Sequence, residues 1–471
     1  MAGMKRLTPA LAFAVAAFLT RLPVLHRSIL DWDESLYFLM AQAWRAGHLP
    51  YSTIWDNKPI GIYVIFALFQ SVIPSIAAIR VASMVCAALL AWTVFRITEL
   101  ITENRMAAWC AGIALIICSL ANDGLSANTE LFMACCTALA VLAVLADAPA
   151  WSVGLALGCA FMIKYVSAPE APLVLLLLLH RRRSFTAAAI CIAAAFIPFM
   201  AALALYAAHG QLALWWASTV LGNIRRTNVP VTPLMIHYAF NLQVTRWGPL
   251  YVMGLGWLPY SFIRKAPFEQ KFLGLWLLGG LAGALSAKSL YDHYFLQMLP
   301  ALCVIFGAVI ALARDTPMSQ LRMLGFAMLL PLWADEQALQ WGMSTDYVAR
   351  AARDIRAAHP ASIYVFDSQP ILYALTGLPS PTRYVLPTEV MGNFLPQVAG
   401  VNPVAEITRI LATNPAMIIR HVPQPQANIV NDDVYAIINQ IMANNYTLWR
   451  QYPEIAIYRR NDQRLSTASS R

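Results

Sequence analysis

The sequence predicts a polytopic α-helical membrane protein carrying a small C-terminal α/β domain. Hydrophobic residues make up 59% of the 471 residues and charged residues 12%, where a soluble chain is nearer a quarter charged. Apolar runs of membrane length recur over roughly the first 335 residues, and in lipid each backbone group there must be paired inside a helix. Beyond them, short strand-like segments alternate with helical ones, the pattern of a small α/β fold.

The opening stretch "MAGMKRLTPALAFAVAAFLTRL" has the small residues of a signal peptide. It reads better as an uncleaved first span, Leu7 to about Leu25, anchored on the inside by Lys5 and Arg6. Further candidate spans lie near 77–95, 106–121, 129–146, 151–164, 169–180, 184–208, 248–263, 269–287, 293–313 and 318–334.

The apolar stretch 59–74 is the ambiguous one: as a helix it would reach about 24 Å, short of the ~30 Å hydrocarbon core. The basic clusters "HRRRS" (180–184) and "RKAPFEQK" (264–271) belong on the cytoplasmic side. With the N-terminus inside, they lie there only if 59–74 does not cross. The reading is therefore about 11 spans, with 59–74 dipping into the outer leaflet from a first external loop over 26–76. Residues 121–128, 164–169, 209–247, 288–292 and the tail then share that loop's side, the outside. The net charge of +9 follows from this topology and gives no reason to expect a nucleic acid.

The domains are thus 1–334 in the membrane and 335–471 outside it. In the tail, "SIYVFDS", "AMIIRHV", "YTLWRQY" and "IAIYRRN" read as strands, separated by helices near 345–358, 401–412 and 433–444. The final "NDQRLSTASSR" reads as disordered. All eight cysteines lie in apolar segments, which argues against disulfides and zinc.

The first loop carries the chemistry. Asp31 to Gly47 reads as a helix with Asp31 as its N-cap, Glu34 as capping-box partner and Gly47 closing its end. Leu36, Leu39, Met40 and Ala43 give it an apolar face suited to the membrane surface. Capping accounts for Asp31 and Glu34; a third carboxylate, Asp33, adds repulsion and little capping. Further on, Asn57 can cap a helix with Pro59 in its first turn, which puts Lys58 beside free N–H groups, a ready anion site. The alternative is a lysine snorkelling at the membrane boundary.

The stretch "DWDESLYFLMAQAWRAGHLPYSTIWDNKPIGIYVIFALFQ" resembles the first external loop of the GT-C glycosyltransferases. The nearest branch is that of protein O-mannosyltransferases, lipid A aminoarabinose transferases and bacterial galacturonosyltransferases. There an Asp-Glu pair opens one membrane-surface helix, here Asp33-Glu34, and an acid followed by Lys-Pro opens a second, here Asp56-Asn57-Lys58-Pro59. "SANTELF" puts Glu130 where the family has a further acid, "FMIKYVS" puts Lys164 after a span as in relatives, and "KSLYDHYFLQMLP" resembles the late His-Tyr motif with Lys288 and His293. Leu36 stands where the aminoarabinose enzymes have an arginine.

The resemblance implies an inverting transfer of a sugar from a polyprenyl-phosphate donor to a glycolipid, glycan or protein acceptor. Such a reaction needs cations and N–H groups on the departing lipid phosphate: Lys58, Lys164, Lys288, His293, and Arg225 or Arg226 are the candidates. A hydroxyl acceptor needs a base; Asp33 is the first choice, with Glu34 orienting it or binding acceptor, and Asp56 and Glu130 lining the same cavity. Asp33, Asp56, Glu130 and His48 could also hold a divalent ion, though nothing in their spacing requires a cofactor. The rival classes are a scaffold and a lipid-linked glycan transporter, flippase or ligase. A transporter would set ionisable residues at the membrane midplane, often in related halves, whereas here they gather at the outer boundary.

Overall fold

The computed structural model describes residues 2–312, 346–423 and 430–461, with side chains from Thr8 onward. The candidate span 318–334, the domain boundary near 334, the anchors Lys5 and Arg6 and nearly all of the terminal "NDQRLSTASSR" lie outside what is described.

The membrane part consists of α1 (Ala2–Arg21), α2 (Trp32–Arg45), α3 (Gly61–Val72), α4 (Ala77–Thr102), α5 (Arg105–Cys118), α6 (Thr129–Leu145) and α7 (Ala150–Ile163). It continues through α8 (Ala171–Arg182), α9 (Phe185–Ala208), α10 (Leu212–Trp215), α11 (Gly222–Arg226), α12 (Pro233–Ile263), α13 (Phe268–Ser286) and α14 (Leu299–Leu312). Helix α4 is packed between α1, α5, α6 and α14, while α7 lies along α9. Gly154 and Gly158 make that approach close: an added Cβ would stand 1.9 Å from the Cys191 carbonyl oxygen and 2.2 Å from that of Ala195, as small residues four apart do between membrane helices. The outer side of α9 exposes Phe185, Phe196 and Ile197, a face for lipid.

Among the described residues, Ala77–Thr102, Phe185–Ala208 and Asp292–Leu312 are long and apolar enough to cross a membrane. Others are shorter: 14 residues for α5 and for α7, or about 21 Å. The expected count of about 11 full spans is therefore not carried by helix length. The apolar runs include residues that fold as caps and 3-10 turns, such as Tyr165–Glu170 before α8 and Asp292–Met298 before α14. The predicted loop 209–247 is largely helical, because α12 starts at Pro233 behind a Thr232 cap and bends at Trp247.

In the first loop, Asp31 caps α2 by accepting from the Asp33 N–H at 3.3 Å, and Gly47 follows its end at φ +96°. The apolar face of α2 does not lie on the membrane. Leu36, Leu39 and Met40 are buried, because α2 packs on α3 and on the tail. Helix α3 has 12 residues, about 18 Å. It starts after Ile60 with no side-chain cap, so Asn57 is no N-cap and Lys58 precedes the helix.

The tail folds as α15 (Tyr347–Ala357), β1 (Ile363–Val365), α16 (Ile371–Thr376), α17 (Thr388–Met391), α18 (Leu395–Ala399), α19 (Pro403–Ala412), β2 (Met417–His421), α20 (Asp432–Asn445), β3 (Tyr446–Gln451) and β4 (Ile455–Arg460). The sheet runs β1-β2-β4-β3. The first pair is parallel, Ile363 against Met417, and the other pairs are antiparallel. Ile407, Ile410, Val434 and Ile438 of α19 and α20 cover one face with Ile418. The tail is seated on the first loop. The Trp55 N–H donates to the Arg383 carbonyl at 2.8 Å, Arg383 returns a bond to the Tyr51 carbonyl at 2.7 Å, and the Ser28 N–H donates to Asp346 at 2.9 Å. Loop and tail therefore lie on one side of the helices. All eight cysteines are free.

Candidate active site

The loop between α2 and α3 turns back so that the Lys58 ammonium stands between two carboxylates, 3.3 Å from Asp33 and 3.5 Å from Asp56. Gly61 allows this: an added Cβ would fall 2.4 Å from the Met162 carbonyl oxygen, so the start of α3 rests on the end of α7, next to Lys164. Aromatic hydroxyls fix the acids. Tyr37 donates to Asp33 at 3.0 Å and Tyr63 to Asp56 at 2.8 Å, while Tyr51 donates to the Lys58 carbonyl at 2.6 Å. Lys58 is 7% exposed. Burial disfavours its charge, but Asp33 and Asp56 hold it above the ordinary lysine value. Burial likewise works against charge on Asp33, yet Lys58, His293 and Lys164 hold its carboxyl well below the usual carboxylate range.

Two cavities meet at Lys58. One, of about 180 Å³, is lined by Asn57, Lys58, Lys164, Asn223, Arg226 and Tyr294 among others. It is the cationic chamber. Arg226 donates to the Tyr294 hydroxyl at 2.8 Å and to Ser289 at 3.0 Å, and the Lys164 ammonium lies 3.8 Å over the Tyr294 ring. Asn57, expected as a cap, is instead held by Asn223 of α11, whose amide donates to the Asn57 carbonyl at 2.5 Å.

The second cavity, of about 240 Å³, is acidic: Asp31, Asp33, Asp56, Asp123, Asp292 and Glu389 line it, with Lys58, Arg226 and His293 as its basic residues. Burial, then the charge of Asp33, pushes Asp31 up to about 7.

Three expected site residues stand elsewhere. Glu34 neither orients Asp33 nor faces a cavity. It is fully buried and pairs with Arg80 of α4, while its oxygens accept from the Leu30 N–H at 2.7 Å and the Ala127 N–H at 3.0 Å. It thereby ties α2 to α4 and to the loop before α6, and it does not close a capping box on Asp31. Glu130 is fully buried in an ion pair with Lys164 and lines neither chamber. It supports Lys164, which does line the cationic one. Lys288 also lines neither; its ammonium donates to the Thr227 carbonyl. His293 falls in the acidic chamber, its Nδ1 3.8 Å from Asp123 and 3.9 Å from Asp292.

Those three side chains, whose ligand atoms lie within 4.8 Å of one another, have spacing for a divalent ion, although Arg246 already bonds Asp292 at 2.9 Å. The expected set of Asp33, Asp56, Glu130 and His48 does not converge, because His48 is exposed beyond α2 and Glu130 is committed to Lys164. Sequence reasoning missed Arg80 and Glu389. Arg80 had a signal, since an arginine inside an apolar helix needs a partner; Glu389, in the tail, had none.

The model of the family described as dolichyl-phosphate-mannose-protein mannosyltransferase matches residues 57–221. No curated protein sequence matches the chain. Among solved structures, ArnT from Cupriavidus metallidurans bound to undecaprenyl phosphate aligns with 95% of this chain and 97% of its own, at TM-score 0.64 and 13% identity. The oligosaccharyltransferase of Archaeoglobus fulgidus tethered with an acceptor peptide aligns with 88% of this chain and 69% of its own, at TM-score 0.54 and 11% identity. The oligosaccharyltransferase AglB from the same organism, with an inhibitory peptide and a dolichol-phosphate, gives the same coverage at TM-score 0.52 and 11% identity. The likeness to these solved structures is one of fold.

Proposed function

We propose that this chain of the GT-C fold transfers a sugar, with inversion, from a polyprenyl phosphate to a hydroxyl of a glycolipid, glycan or protein at the outer face of a bacterial inner membrane. The observation that carries the reading is the position of Lys58, at the join of a cationic and an acidic chamber. A lipid phosphate in the first would meet Lys58, Lys164 and Arg226, with the Tyr294 hydroxyl beside them, and charge growing on it as the glycosidic bond breaks would be stabilised by donors already in place. The sugar would then project into the second, where Asp33 stands ready to take the acceptor's proton.

Paired with Lys58, Asp33 is a weak base, because the ammonium favours its ionised form. A phosphate arriving at Lys58 brings negative charge beside Asp33 and competes for the same ammonium, and both effects raise the basicity of the carboxylate. Donor binding would therefore switch the base on. Asp56 keeps Lys58 in place throughout.

The purified chain, supplied with polyprenyl-phosphate sugars extracted from its own source and with envelope glycolipids, should release free polyprenyl phosphate and glycosylate an acceptor, as read by mass spectrometry. Donor that stays intact under these conditions would sink the proposal.

A further inference from the structure

Glu389 is brought to the acidic chamber by the C-terminal domain, on the short helix α17, facing a wall built by the first loop. It is 1% exposed, and its Oε2 has no hydrogen-bond partner among the described residues. A carboxyl oxygen left without a partner in a buried site costs a fold stability. A structural carboxylate would be paired, as Glu34 is with Arg80 and Glu130 with Lys164. Burial, reinforced by Asp56, moves Glu389 well above the ordinary glutamate range and so favours its neutral form, which can both donate and accept.

The company it keeps restricts what it meets. Six carboxyl side chains line the chamber, those of Asp31, Asp33, Asp56, Asp123, Asp292 and Glu389, against three basic ones, Lys58, Arg226 and His293. A further carboxylate there would meet like charge from most of the lining, which disfavours it. A carboxylate-bearing sugar is therefore the wrong occupant, and a sugar with hydroxyls alone is the right one.

Building on the donor reading above, we propose that the C-terminal domain completes the sugar-binding chamber, with Glu389 hydrogen-bonded to a hydroxyl of an uncharged sugar, and that the chamber rejects uronic acids. Glu389 is then a specificity-determining contact, and the tail is part of the site and more than its cover.

The test is equilibrium binding to the full chain in lipid nanodiscs of three lipids: bare polyprenyl phosphate, its mannosyl form and its galacturonosyl form. The wild type should bind the mannosyl lipid more tightly than the galacturonosyl one. Glu389→Ala should weaken the mannosyl lipid about 2- to 10-fold, the worth of one hydrogen bond, and leave the bare lipid unchanged. Glu389→Gln, which keeps a neutral donor and acceptor, should restore affinity. If Glu389→Ala fails to fold, Glu389→Met fills the volume and should read the same. Equal losses for the bare and mannosyl lipids, no loss for either, or a galacturonosyl lipid bound as tightly as the mannosyl one would overturn the proposal. A wild type that does not bind even bare polyprenyl phosphate would sink the donor reading instead, and this contact with it.

Discussion

The Lys58 ammonium and the Asp33 carboxylate lie 3.3 Å apart where the two chambers join, so the group that would hold the leaving phosphate also controls the group that would take the acceptor's proton. Neither can be altered without affecting the other.

Lys58→Ala should weaken binding of bare polyprenyl phosphate by about 10- to 100-fold, the worth of a charge-assisted hydrogen bond. On the sequence alone Lys58 is an outward lysine at a helix start, with little part in stability. Its burial between Asp33 and Asp56 reverses that expectation. Removing the cation leaves buried Asp56 and half-buried Asp33 without a counter-charge, at a cost of up to about 3–5 kcal/mol, so the unfolding temperature should fall as well. Affinity measured well below that temperature separates the two effects, and unchanged affinity there would remove Lys58 from the phosphate site.

Glu34→Gln should behave as a folding variant. It leaves the Arg80 guanidinium buried without its counter-charge, again at about 3–5 kcal/mol. The double variant Glu34→Gln with Arg80→Met should recover much of the loss, because no unpaired charge then remains. Thermal unfolding of the three proteins in one detergent measures this. A Glu34→Gln chain as stable as wild type but inactive would return Glu34 to catalysis.

Asp31 gives a pH dependence. Its folded value is pushed up to about 7, first by burial and then by Asp33, with Asp123 adding to the rise and His293 and Asn128 opposing it; unfolded, it titrates near about 3.9. A raised value means that its stabilising contribution is complete below the unfolded value and is lost as pH rises through about 7. Asp31→Asn keeps the cap and removes the titration. Relative to wild type, the variant should gain unfolding temperature between pH 5 and pH 8. A constant difference across that range would show that Asp31 does not titrate there.

The local features were legible in the sequence, because capping, apolar periodicity and turn chemistry act within a few residues. The α2 helix from its Asp31 cap to Gly47, and all four strands of the tail, lie where the residues put them. The partners that decide a side chain's role were not legible. Glu34 looks like a capping-box residue until Arg80 arrives from 46 positions away, and Glu130 looks like a site acid until Lys164 claims it. Asn57, with Pro59 close behind, has the pattern of a cap, but α11 supplies Asn223 and the helix begins at Gly61. The apolar face of α2 suits a membrane surface, and nothing in the first loop announces that the tail lies on it.

The central claim is that Asp33 is the base in a transfer from polyprenyl phosphate, and single-turnover sugar transfer by Asp33→Asn tests it most directly. The donor is the chain's own polyprenyl-phosphate sugar, saturating, with bare-lipid binding and thermal unfolding recorded alongside. The account predicts a rate lower by about 10²- to 10⁴-fold, the usual worth of a general base, in a chain that still unfolds cooperatively and still binds polyprenyl phosphate. A folded Asp33→Asn chain that transfers sugar at the wild-type rate would contradict it.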